Sequence, residues 1–95
     1  MVRVKVNYLG VLPPIVGKSD EYVEIDEPST LRELLRVLGL RYGERFSGSL
    51  EHADGSLVWS DVAIVIDEVP IHDVEYQLAG KKEVHIALIP QIVGG

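Results

Sequence analysis

The sequence predicts a two-layer α+β domain, in which a mixed four- to five-stranded sheet packs against one main helix. Three observations carry that expectation. Leu31, Leu34, Leu35 and Leu38 fall at i, i+3, i+4 and i+7, the stripe of a helix with one buried face. Val2-Arg3-Val4-Lys5-Val6-Asn7-Tyr8 alternates apolar and polar residues, as a half-buried strand does. Val62-Ala63-Ile64-Val65-Ile66 and the run Val84-His85-Ile86-Ala87-Leu88 are nearly apolar on both faces. Strands of that kind are usually covered on both faces and belong in the interior of a sheet.

In chain order, the first strand should turn Val2, Val4, Val6 and Tyr8 toward a core and Arg3, Lys5 and Asn7 toward water. Residues 10–20 read as a loop, because Pro13-Pro14 blocks a strand ladder and Gly17 marks a turn. Glu21-Tyr22-Val23-Glu24-Ile25-Asp26 is a second strand with Val23 and Ile25 inward, and pairs with the first as an antiparallel hairpin. Thr30 caps the helix, and Glu33 is placed to reach back to the Thr30 N–H, the reciprocal capping box. Leu40 and Tyr42 prolong the pattern, so the helix should end near Gly43.

Residues 44–61 are the least legible stretch. Phe46, Leu50, Leu57, Val58 and Trp59 are apolar anchors, Asp54-Gly55 is a turn, and one helical turn fits near Glu44–Leu50. Trp59 reads as packed on the core rather than as a ligand contact. Asp67-Glu68 turns the chain into a short edge piece, Val69-Pro70-Ile71-His72, where proline is tolerated. Val74, Tyr76 and Leu78 are further anchors, and Gly80-Lys81-Lys82 turns into the last strand.

Ninety-five residues with 46% hydrophobic content suffice for one domain spanning residues 1–95. No apolar run in the sequence reaches membrane-spanning length, and no signal peptide is expected before the first strand. There is no cysteine, which excludes disulfides, thiolate metal sites and a cysteine nucleophile, and fits the cytoplasm. Residues 1–50 carry seven Lys/Arg and seven Asp/Glu; residues 51–95 carry two and eight, so the whole net charge of −6 lies in the second half. That balance argues against nucleic acid and fits either a basic protein partner or a merely solubilising surface. His52, His72 and His85 share no metal-ligand spacing, and no metal site is expected. His85, on an interior strand, reads as a structural histidine, and the acidic pairs Asp67-Glu68 and Asp73/Glu75 as solvated turns.

The end of the chain is unusual. Pro90 stops the last ladder because it has no N–H, yet Ile92 and Val93 beyond it are bulky and apolar. The sequence then ends at Gly94-Gly95, whose lack of side chains lets a partner close tightly around them and leaves the terminal carboxylate as the only reactive group. A disordered end that happens to be glycine has the same composition, and the tail alone does not choose between the two.

A right-handed crossover through the helix would bring the first and last strands side by side and parallel, the β-grasp arrangement of ubiquitin. With a terminal Gly-Gly, the chain resembles the ubiquitin-like sulfur carriers, in particular the small subunit of molybdopterin synthase. The residues that carry the resemblance are Val4-Lys5-Val6-Asn7-Tyr8-Leu9, Ser29-Thr30-Leu31-Arg32-Glu33-Leu34-Leu35, Leu78, Gly80, Glu83-Val84 and Ile89-Pro90-Gln91-Ile92-Val93-Gly94-Gly95. Two features depart from the family pattern: Pro13-Pro14 in a region often more helical, and Glu68 where a hairpin glycine is common.

The resemblance implies a passenger whose Gly95 carboxylate is adenylated by a ubiquitin-activating-type enzyme, using ATP that the partner binds; this chain is expected to bind no cofactor itself. Sulfur then replaces AMP to leave a thiocarboxylate, which a large catalytic subunit of molybdopterin synthase would pass to a pterin precursor of a molybdenum or tungsten cofactor. Pro90, Ile92, Val93 and Gly94 would guide the flexible tail, from about residue 90, into the partner. On this reading the chain is not catalytic alone but the sulfur-carrying subunit of a transferase complex. Two other classes stay open: a ubiquitin-like modifier joined to protein lysines through Gly95, and a plain β-grasp interaction module.

Overall fold

The computed structural model of the chain describes residues 1–89. The expectations for Pro90, Ile92, Val93, Gly94 and Gly95, and for a flexible tail from about residue 90, lie outside the described residues. β1 (Val2–Gly10), β2 (Asp20–Ile25), β3 (Val62–Ile66), β4 (Val69–Ile71) and β5 (Glu83–Leu88) form one sheet in the order β2-β1-β5-β3-β4. β1 and β5 are parallel and adjacent, with Val6 opposite Val84 and Tyr8 opposite Ile86, while the other pairings are antiparallel. Together with the main helix α2 (Leu31–Tyr42), this is the expected β-grasp architecture.

Periodicity accounts for the core. Val4, Val6, Tyr8, Val23 and Ile25 meet Leu31, Leu34, Leu35 and Leu38 of α2, and all are buried. Val62, Ile64, Ile66, Val84, Ile86 and Leu88 complete the same cluster. Fully burying one such aliphatic side chain is worth about 1.5–3 kcal/mol relative to leaving it exposed. Leu40 departs from the pattern: α2 does end at Gly43, but Leu40 is 75% exposed because its position has turned past the buried stripe.

Two local expectations need correction. The loop assigned to residues 10–20 contains a short helix, α1 (Leu12–Val16), with its prolines in the first turn. There the missing proline N–H has no helical partner to lose, and the fixed φ suits the helix. Gly17 closes it in the left-handed region, at φ 82°, donating its N–H to the Pro13 carbonyl. The capping box is only half made. Thr30 Oγ1 accepts from the Glu33 N–H at 3.3 Å, but the Thr30 N–H goes to the Pro28 carbonyl, and the Glu33 carboxylate is taken by Arg36.

The third correction bears on function. β5 and β3 do lie inside the sheet, flanked by strands on both sides, but only one of their faces is covered. Ala63 is exposed, and Val65, His85 and Ala87 are only half-buried. Among the described residues, no second layer fills the other face.

Residues 44–61 form α3 (Glu44–Leu50), which buries Phe46 and Leu50, and then a narrow loop closed by a bridge between Glu51 and Leu57. Asp54 holds its turn by accepting from the Ser56 N–H and hydroxyl. At the β3–β4 turn, Asp67 and Glu68 both have positive φ, 46° and 71°, where a glycine would be unstrained. The Asp67 carboxylate compensates by accepting from the Glu83 and Lys82 N–H groups, which hold it below the usual carboxylate range.

Candidate functional site

The predicted site residues Pro90, Ile92, Val93, Gly94 and Gly95 all lie outside the described residues, so the structure speaks to the platform from which they extend. That platform is the end of β5. Past the last ladder pair, the Leu88 carbonyl accepts from the Val11 N–H at 3.1 Å, and the Ile89 N–H donates to the Asp61 carbonyl at 2.8 Å. The described chain therefore ends just past the central strand of the sheet, with its Leu88–Ile89 peptide group held by main chain on both sides.

Around this point the uncovered sheet face is apolar. The strand register aligns Leu9, Ala87 and Ala63 in the row nearest the tail, and Asn7, His85, Val65 and Pro70 in the next. Leu9 and Ile89 are 47% and 57% exposed. Beside them runs a groove of about 400 Å³ whose described lining includes Trp59, Ala63, Val65, Pro70, His72 and Ile89. Trp59 is packed on the core as expected, yet it also walls this groove, with its ring 5.5 Å from the His72 ring. Sequence reasoning missed the groove, because its walls come from a loop, an edge strand and the strand end.

The acidic residues of the second half are spread along the strands rather than gathered at one end. Asp61 stands at the tail root, but Asp67, Glu68 and Glu83 gather at the opposite end of the same strands. His85 sits on the uncovered face, its Nε2 3.2 Å from the Glu83 carboxylate, rather than buried as a core histidine. Glu75 pairs with Arg32 at 2.5 Å, so that acidic residue is partly neutralised.

A second polar cluster lies on the covered side. The Glu21 carboxylate accepts from the Tyr8 hydroxyl at 2.5 Å and from the Tyr42 hydroxyl, and pairs with Arg41 at 2.8 Å and Lys18 at 3.6 Å. Burial opposes its ionisation most strongly, but the tyrosine hydrogen bonds and the two cations together hold it below the usual carboxylate range. Burial, and then the Glu21 hydrogen bond, push the Tyr8 phenol far above its ordinary value. The cluster ties β1, β2 and α2 together on the side away from the groove and offers no open catalytic group.

No protein-family model matches the sequence, and no curated protein matches it. Solved structures do. Small archaeal modifier protein 1 (SAMP1) from Haloferax volcanii superposes with a TM-score of 0.76 at 17% identity, over 99% of this chain and all of that one. The protein of the same name from Methanosarcina acetivorans gives 0.70 at 20% identity, over 100% of this chain and 98% of that one. A protein designated molybdopterin converting factor, subunit 1, from Pyrococcus furiosus gives 0.66 at 23% identity, over 97% of this chain and all of that one. By its sheet order, its main helix and these likenesses, the chain has the ubiquitin-like β-grasp fold.

Proposed function

We propose that the chain is a sulfur carrier and the small subunit of a molybdopterin synthase. The observation that carries this reading is the placement of the tail. The described chain ends at Ile89, one residue past the central strand and at the edge of an exposed apolar sheet face, and the sequence continues Pro90-Gln91-Ile92-Val93-Gly94-Gly95. A carboxylate of pKa near ~3.5 is ionised at neutral pH and a poor electrophile, so it needs activation. The Gly95 carboxylate oxygen attacks the α-phosphorus of ATP held by a ubiquitin-activating-type enzyme, forming an acyl adenylate and releasing pyrophosphate. A hydrosulfide-equivalent donor then attacks the acyl carbon, AMP leaves, and Gly95 carries a thiocarboxylate. The uncovered face and groove dock first on the activating enzyme and then on the large catalytic subunit, which takes the sulfur to a pterin precursor in the cytoplasm.

The likeness to two archaeal modifier proteins favours a second reading on the same chemistry. Here a lysine amine of a target protein attacks the activated Gly95 carbonyl, forms an isopeptide bond and expels the activating group. Both readings are tested by purifying the protein from its native cell and measuring the intact mass of the chain and of any adduct. Oxygen-to-sulfur exchange at the terminus, with a larger non-covalent partner, supports the carrier. Lysine-linked conjugates support the modifier. An unmodified protein without partners overturns both and leaves a plain interaction module.

A further inference from the structure

We infer that Gly10 is a positioning residue for the transfer proposed above, because it allows the main chain to clamp the last peptide group before the tail. The inference rests on that functional reading. The Leu88 carbonyl and the Ile89 N–H belong to one planar peptide unit. Its oxygen is bonded from the β1 side by Val11 and its N–H from the β3 side by Asp61. Two hydrogen bonds on opposite edges fix the orientation of that plane. No such pair can form one residue later, since Pro90 contributes no N–H.

Gly10 makes the first bond possible in two ways. Its φ of +67° turns the chain at the end of β1 so that the Val11 N–H meets the Leu88 oxygen. Its missing side chain leaves room for that oxygen: a Cβ on Gly10 would lie 2.0 Å from the Leu88 oxygen and 2.9 Å from the Leu88 carbonyl carbon. Gly10 is itself exposed, so the core does not impose the glycine; the approach of β5 does. Among the described glycines it is the only one whose added Cβ would strike main chain. Gly17, with a similar φ of +82°, has nothing within 4 Å.

The clamp matters because of leverage. Six residues lie between Ile89 and the terminus, a reach of at most about 20 Å when extended. With the tail drawn out extended in the activating enzyme, tilting the root plane by about 10° would shift the carboxylate by roughly 3 Å, and a misplacement of about 1 Å can cost around 100-fold in rate. With the sheet face docked on the activating enzyme, the Leu88–Ile89 plane is the joint between the docked body and the reacting carboxylate. Gly10 thus acts on the chemical step rather than on docking.

The test compares Gly10→Ala with Gly17→Ala, which introduces the same left-handed strain without the obstruction. ATP-dependent pyrophosphate release by the ubiquitin-activating-type enzyme is measured well below both melting temperatures, beside amide hydrogen exchange at Val11 and Ile89. The expected result is protected Val11 and Ile89 amides in the wild type and loss of that protection in Gly10→Ala. Its kcat should fall about 10- to 100-fold with KM within about twofold, while Gly17→Ala keeps the wild-type kcat. Three results overturn the inference: wild-type kcat in Gly10→Ala, an equal loss in Gly17→Ala, or unprotected Val11 and Ile89 amides in the wild-type protein. The last needs no variant and decides the matter even if Gly10→Ala does not fold. A wild-type protein that releases no pyrophosphate, despite protected amides, overturns the carrier and modifier readings, and this role of Gly10 with them.

Discussion

The two faces of β5 meet opposite fates. Val84, Ile86 and Leu88 are 0%, 0% and 7% exposed, against α2 and its neighbours. On the other side of the same strand His85 and Ala87 are left half-buried, and Ile89, just past its end, is exposed. An apolar strand face is normally covered. Leaving one open costs little only if something else covers it for part of the time, and large exposed apolar patches on soluble proteins commonly mark interaction sites. One side of the strand thus provides stability, and the other is free for recognition.

Substitutions on the two sides should separate sharply. The largest effect belongs to the covered side. Ile86→Ala should lower stability by about 2–5 kcal/mol, because the close-packed surroundings relax only partly around the lost atoms. A denaturant melt measures this, and a loss below about 1 kcal/mol would mean that the covered face is not the core.

Next is the Glu21 cluster, which anchors β2 and α2 on the same side. Glu21→Ala should cost about 2–3 kcal/mol, since the Tyr8 and Tyr42 hydroxyls lose their acceptor and its side chain is only 11% exposed. The cluster also brackets stability in pH. With its folded pKa depressed, Glu21 contributes fully above its unfolded value, and that contribution disappears as pH falls through the folded value, roughly from pH 5 downward. Tyr8 works in the opposite sense: its raised pKa gives stability that is full below about pH 10 and declines above it, where the unfolded phenol ionises. Melts across pH should show both flanks in the wild type, with the acid flank reduced in Glu21→Gln; an unchanged acid flank would assign it to other carboxylates.

The smallest effect on stability is expected on the open face. Ala63→Asp should stay within about ±0.5 kcal/mol of the wild type. Its effect should appear instead in association with the activating enzyme or the large subunit, because an unpaired carboxylate in an apolar interface is costly to desolvate. Sedimentation of the mixture reads this directly, and undiminished association would remove the open face from the docking surface.

The same contrast explains how much of the molecule was legible in the sequence. Where one face is buried, periodicity reports it: the alternation of Val4, Val6 and Tyr8 and the leucine stripe of α2 identified β1 and the helix, and the both-face runs located β3 and β5 within the sheet. Periodicity does not say which apolar face is covered, so the open side of β5 was misjudged. Proline chemistry misled at α1, where Pro13-Pro14 reads equally as a breaker or as a helix's first turn until position is known. The terminal glycines stand out in the sequence because a glycine pair after an apolar run is unusual, and they lie outside the described residues. Gly10 does not stand out, because its requirement is set by the Leu88 carbonyl, 78 residues along the chain. The groove beside Trp59 was hidden for the same reason: its walls are brought together only by the fold.

The central claim is that the reacting group is the carboxylate of Gly95, delivered at one fixed distance from a rigid sheet. Deleting Gly95 tests this most directly. It shortens an extended tail by about 3.3 Å and removes no residue of the described strands and helices, so the melt should shift within about ±0.5 kcal/mol of the wild type. Adenylate formation with ATP and the activating enzyme, and thiocarboxylate formation when a sulfide donor is added, both followed by intact mass spectrometry, should disappear. Full adenylation of the truncated chain would contradict the account, for the carrier and the modifier alike.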